Sequence, residues 1–139
     1  MHAETDLHEV VGGCRRLQHE LVAAAILPTQ AARVLPRGNA APVQEIHLVV
    51  RNMTYYVGDS AAPNPTLHVA AGQRVRVRVS STDAGIVHDY QIPAWNVGTR
   101  LLKGKDADTL EFTAPSVRGE YAYRCTPHSV MMNGTIAVE

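Results

Sequence analysis

The chain has 139 residues, 45% of them apolar, which suits a single domain with a core of its own. Lys+Arg and Asp+Glu balance at 13 each, excluding attraction by bulk charge to nucleic acid or to an anionic membrane surface. No apolar run approaches the roughly 18 residues that span a bilayer, and the polar, acidic segment from Met1 to Glu9 is not a signal peptide, so any export signal is expected to have been removed.

Residues 1–43 differ in character from the rest. Leu7, Val10, Val11, Cys14, Leu17, Leu21 and Val22 recur at three- and four-residue steps, predicting an amphipathic helix that ends before Pro28. Gly12 and Gly13 weaken it by about 1 kcal/mol each relative to alanine. Such a helix offers a surface for an oligomer or a larger complex. Cys14, in Val-Val-Gly-Gly-Cys-Arg-Arg, lacks the apolar stretch that precedes a lipid-attachment cysteine and reads as an inert thiol. A bridge from Cys14 to Cys125 is open on cysteine count. Residues 28–43, with Pro28, Pro36, Pro42, Gly38 and several alanines, read as an irregular connector.

From residue 44 to 139 the pattern is β. Eight runs carry it: 45–51, 53–57, 66–70, 74–80, 87–92, 109–113, 121–125 and 135–138, separated by turn residues such as Gly58-Asp59, Asn64-Pro65, Gly72, Gly85 and Gly119. In Arg74-Val75-Arg76-Val77-Arg78-Val79 the period of two sends valines to one face and arginines to a solvated face. Short strands at this spacing predict an all-β sandwich or barrel of about eight strands.

The segment Tyr121-Ala-Tyr-Arg-Cys-Thr-Pro-His-Ser-Val-Met-Met-Asn-Gly134 collects a thiol, an imidazole and two thioethers directly after an alternating strand. A thiolate with two imidazoles and a weak thioether is the donor set that suits copper in an electron-transfer site. With two residues between them, Cys125 and His128 can turn onto one ion, and Met131 or Met132 follows where the chain returns. The second imidazole must come from elsewhere. His2, His8 and His19 lie in the N-terminal extension, and His47 and His68 lie within strands. His88 follows the Asp83-Ala84-Gly85 turn, where a loop-end ligand belongs.

The stretch from Gly119 to Glu139 resembles the C-terminal copper loop of the cupredoxins, the blue copper proteins. Its Cys-Thr-Pro-His portion resembles amicyanin and pseudoazurin, and His-Ser-x-x-Met-x-Gly-Thr resembles azurin. Val87-His88-Asp89-Tyr90-Gln91-Ile92-Pro93-Ala94-Trp95 is similar to the copper domain of cytochrome oxidase subunit II, although the single loop cysteine points to a mononuclear site rather than a dinuclear one. The resemblance covers about residues 44–139 and implies a Greek-key cupredoxin fold. It also implies one copper ion on His88, Cys125 and His128 with a methionine axial ligand, for which Met132 is preferred to Met131 because the Asn-Gly step follows it. Asp89 stands where the family often has an asparagine that ties the two ligand loops together; its charge is expected to lower the copper potential.

These implications describe a one-electron carrier rather than an enzyme. It would be periplasmic or otherwise extracytoplasmic and would meet redox partner proteins through an apolar patch around His128 to which Pro127, Val130 and Met131 contribute. A copper-bearing subunit of a larger oxidase or reductase, and a copper-binding module without redox duty, are the alternatives. Structural zinc is disfavoured because no second usable thiol is present, and a nucleophilic Cys125 paired with His128 lacks an oxyanion-hole signal. Tyr123 and Trp95 read as packing residues rather than electron relays.

Overall fold

The computed structural model describes residues 41–139. The helix expected before Pro28, the surroundings of Cys14 and most of the connector lie outside the described residues. No helix among the described residues is long and apolar enough to cross a membrane.

Eleven strands build the body: β1 (Gln44–Arg51), β2 (Thr54–Val57), β3 (Leu67–Val69), β4 (Arg74–Ser81), β5 (Val87–His88), β6 (Gln91–Ile92), β7 (Val97–Gly98), β8 (Leu102–Lys103), β9 (Ala107–Thr113), β10 (Gly119–Arg124) and β11 (Asn133–Val138). One sheet runs β2-β1-β4-β9, a second runs β3-β11-β10-β6-β7, and β5 pairs with β8. Both sheets contain one parallel pairing, β1 with β4 and β3 with β11, so each is closed by chain crossovers rather than by hairpins alone.

All eight runs read from the sequence are strands here, with three differences. The run 87–92 is broken at Asp89 and Tyr90, so that β5 joins β8 while β6 joins β10 and β7. The second run starts at Thr54 because Asn52 and Met53 form the turn after β1, both at positive φ (50° and 55°). The two-residue strands β7 and β8 are too short to carry a period.

One apolar cluster lies between the sheets. Val75, Val77 and Val79 of β4 point inward as the alternation demands, meeting Leu48 and Val50 of β1 and Leu67, Val69, Ile136 and Val138 of the opposite sheet. Toward the end that carries His88 and Cys125 the filling is aromatic. Tyr55, Tyr90 and Tyr123 are fully buried, with ring centroids 5.2–5.7 Å apart, the spacing favoured by edge-on and tilted rings. On the opposite face of β4, Arg76 reaches Glu45 and Glu111 at 2.6 and 2.5 Å. Such exposed pairs contribute little each, and this face reads as the expected solvated one.

Candidate metal centre

Alternation along β10 decides the direction of the thiol. Tyr123 and Cys125 share the inward face and are fully buried, while Ala122 and Arg124 face out. Past Cys125 the chain makes a tight excursion and returns as β11. The Cys125 amide donates to the Met132 carbonyl (2.9 Å), and the Met131 and Met132 amides donate to the His128 carbonyl (3.1 and 2.9 Å). Asn133 Nδ2 donates to the Ser129 and Val130 carbonyls (2.8 and 3.2 Å), and Asn64 Nδ2 to that of Met131 (2.8 Å). The excursion is thus an ordered loop.

His88 enters from the other side, at the end of β5. Its Nδ1 lies 4.0 Å from Cys125 Sγ, and His128 Nδ1 lies 3.7 Å from the same sulfur. The three donor atoms are all within 4.8 Å of one another, the one such group of three metal-ligating side chains among the described residues. Bonds of roughly 2.0–2.3 Å to a common ion at tetrahedral to trigonal angles put a sulfur and a nitrogen about 3.5–3.8 Å apart, so the cluster is close to the dimensions of a coordinated ion. His88 is fully buried and His128 half-buried.

The methionines diverge. Met132 is fully buried in the same cluster as Cys125, whereas Met131 is half exposed beside Val130, which is 91% exposed.

Burial holds the His88 imidazole below its ordinary pKa despite Asp83 at its Nε2, and burial pushes the Cys125 thiol up, against backbone amides of Asp89 and His128 that favour the thiolate. Both effects favour the neutral forms of His88 and Cys125, so a cation must displace the thiol proton to bind.

Asp89 is buried, and its Oδ1 accepts the Thr126 amide at 2.6 Å, tying the His88 segment to the Cys125 loop; its backbone carbonyl accepts the Tyr55 hydroxyl. The acceptor role expected of this residue is therefore present. Two further side chains at the site went unread in the sequence as anything but turn residues. Asp83 bonds His88 Nε2 at 3.1 Å, and Asn64 couples the loop to β2 by accepting the Tyr55 amide at 3.2 Å. The signal for Asp83 was its place across the Ala84-Gly85 turn from His88, which reverses the chain and returns the carboxylate to the ring. Trp95 packs on Phe112 and Tyr121 (centroids 5.3 and 4.9 Å), away from the donor cluster.

Residues 79–139, which include every one of these donors, match the sequence profile of the copper binding proteins, plastocyanin/azurin family. Over this segment the chain resembles the cupredoxins. Two solved auracyanins share its fold. Auracyanin A, a "blue" copper protein from the green thermophilic photosynthetic bacterium Chloroflexus aurantiacus, is 23% identical over 70% of this chain and 100% of its own, with a TM-score of 0.55. Dithionite-reduced auracyanin from the photosynthetic bacterium Roseiflexus castenholzii is 21% identical over 69% and 97%, with a TM-score of 0.56. A reduced Cu(I) amicyanin variant at pH 4 aligns at 28% identity over 68% and 82%, with a TM-score of 0.48. No curated protein matches this chain. A soft thiolate and two imidazoles in a buried pocket fit the family's single copper ion.

Proposed function

We propose that this chain is a mononuclear type 1 copper protein that carries single electrons between redox partners, with His88, Cys125 and His128 as its strong ligands and Met132 as the weak axial one. The observation that carries this reading is the convergence of Cys125 Sγ and two histidine Nδ1 atoms at 3.7 and 4.0 Å, in a fold that holds them from separate loops. Bound copper supplies the one-electron couple, and the protein supplies its setting. Backbone bonds around residues 125–132 and the Asp89–Thr126 bond fix the donors in place before any metal arrives, so little rearrangement accompanies a change of oxidation state.

His128 is the donor that reaches the surface, in a shallow apolar depression formed by Pro127, Ser129, Val130 and Met131. A small apolar surface of this kind suits brief encounters, and we assign it as the place where electrons enter and leave. No substrate is transformed, and on the family resemblance the protein works outside the cytoplasm.

The test is an optical and EPR spectrum after Cu(II) addition, with Cys125→Ser alongside. An intense thiolate-to-copper band with narrow hyperfine splitting, absent from the variant, is expected. A weak spectrum identical in both proteins would overturn the ligand assignment, and slow electron self-exchange in a blue protein would leave it a copper-binding module rather than a carrier.

A further inference from the structure

The strand β1 ends in an unusual turn. Asn52 and Met53 both adopt left-handed backbone conformations, φ 50° and 55°, which glycine adopts freely and which is a genuine outlier for a residue as bulky as methionine. Consecutive amides in such a turn point toward one spot and make a concavity for an anion. Here the anion is a side chain. Asp83 Oδ1 accepts the Asn52 amide at 2.7 Å and Asp83 Oδ2 accepts the Met53 amide at 2.9 Å.

The same Oδ2 lies 3.1 Å from His88 Nε2. An ionised carboxylate accepts and cannot donate. Both Asp83 oxygens already accept backbone N–H groups, which sets the side chain as an acceptor toward the ring. His88 Nε2 therefore carries the proton, and the lone pair sits on Nδ1, the atom that faces Cys125 and His128. A histidine with the opposite tautomer would present an N–H to the ion and could not bind it.

We propose that Asp83 is the positioning residue of the metal centre: gripped by the amides of the β1–β2 turn, its carboxylate fixes the tautomer and ring angle of His88 and biases the site toward the oxidised ion. This rests on the copper reading above. A carboxylate behind an imidazole makes the ring a better donor, and a negative charge this close favours Cu(II) over Cu(I). The strained turn is then explained by function, because it is the part that holds Asp83 still. The consequence for partners is a chemical class: donors reducing enough to load a site that prefers its oxidised state.

The experiment is a redox titration and a Cu(II) competition titration of copper-loaded wild type, Asp83→Asn and Asp83→Glu. It is joined by 1H–15N spectra of the metal-free wild-type protein that read the His88 tautomer. Asp83→Asn is expected to stay blue, to move its midpoint potential positive and to bind Cu(II) about 10- to 100-fold more weakly, while Asp83→Glu recovers part of the loss. In metal-free wild type His88 should hold its proton on Nε2. A folded, blue Asp83→Asn protein with unchanged potential and affinity would overturn the proposal and leave the copper reading intact. Should neither variant fold, the metal-free wild-type ring still decides: a proton on Nε2 supports the assignment and a proton on Nδ1 rejects it. A wild-type protein without a Cys125-dependent band would remove the copper reading and this inference together.

Discussion

The carboxylate of Asp89 accepts the backbone amide of Thr126 at 2.6 Å, and this bond joins the residue after one histidine donor to the residue after the thiol. Asp89 is buried and the bond part-buried, so replacing the acceptor removes a hydrogen bond between the two loops. Asp89→Ala should destabilise the metal-free protein by about 1 kcal/mol, the typical net loss of one hydrogen bond. Asp89→Asn keeps an oxygen for Thr126 and removes the charge. It should cost less stability and raise the copper potential. Thermal melts with redox titration check both; equal stability in the two variants would show that the Thr126 bond contributes nothing.

The two methionines make opposite predictions. Met132 is buried with Cys125, while Met131 is half exposed and contributes its carbonyl to the Asn64 bond. Met131→Ala should leave the optical and EPR spectra of the copper protein nearly unchanged and slow electron transfer to partners that dock at the Val130 surface. Met132→Ala should change the spectrum and shift the potential, because on the proposed assignment it removes the weak axial donor that tunes such sites. A spectrum altered by Met131→Ala and indifferent to Met132→Ala would reverse the assignment.

Much of the fold and the donor cluster was legible because it rests on periodicity and spacing. The inward set of β4 follows from alternate valines, and Cys125 faces the core because Tyr123 does. The break at Asp89 and Tyr90 was not legible: Val87 to Ile92 is a continuous strand-like run, and tertiary pairing with two different partners splits it. Asp83 and Asn64 escaped for a related reason. Each was read as turn chemistry, which is local, whereas their work is to reach segments 30 and 67 residues away. The difference in burial between Met131 and Met132 was not legible, because adjacent residues of one type do not reveal it.

Tyr90 is fully buried and its hydroxyl has no hydrogen-bond partner among the described residues, unlike Tyr123, whose hydroxyl donates to the Pro65 carbonyl at 2.7 Å. Desolvation lifts the Tyr90 phenol well above its ordinary pKa, and the hydroxyl forfeits water without a replacement. Tyr90→Phe should therefore be neutral or stabilising by up to about 1–2 kcal/mol, while Tyr123→Phe, which strands the Pro65 carbonyl, should destabilise by about 1 kcal/mol. Denaturant melts of the metal-free proteins measure both. A marked loss in Tyr90→Phe would reveal a partner for that hydroxyl.

Gly134 sits opposite Tyr123 in the β10–β11 register, and a methyl group there would overlap the tyrosine ring. The ring has nowhere to go. It is fully buried, anchored through Pro65, and packed 5.5 and 5.2 Å from Tyr55 and Tyr90. Gly134→Ala must then displace backbone, at a cost of at least the roughly 1–3 kcal/mol typical of overpacking. The displaced strand is the one that Met132 leads into, and the Cys125–Met132 bond lies just beyond the affected pair. Copper binding should weaken along with stability. Gly98→Ala is the comparison, because a methyl group there meets the end of the Gln91 side chain, which can move only by giving up its bonds to Asp89 and the Thr99 carbonyl and displaces no buried ring. If melts and copper titrations of the two variants coincide, then Tyr123 is not rigid, and the aromatic layer does not brace the metal loop.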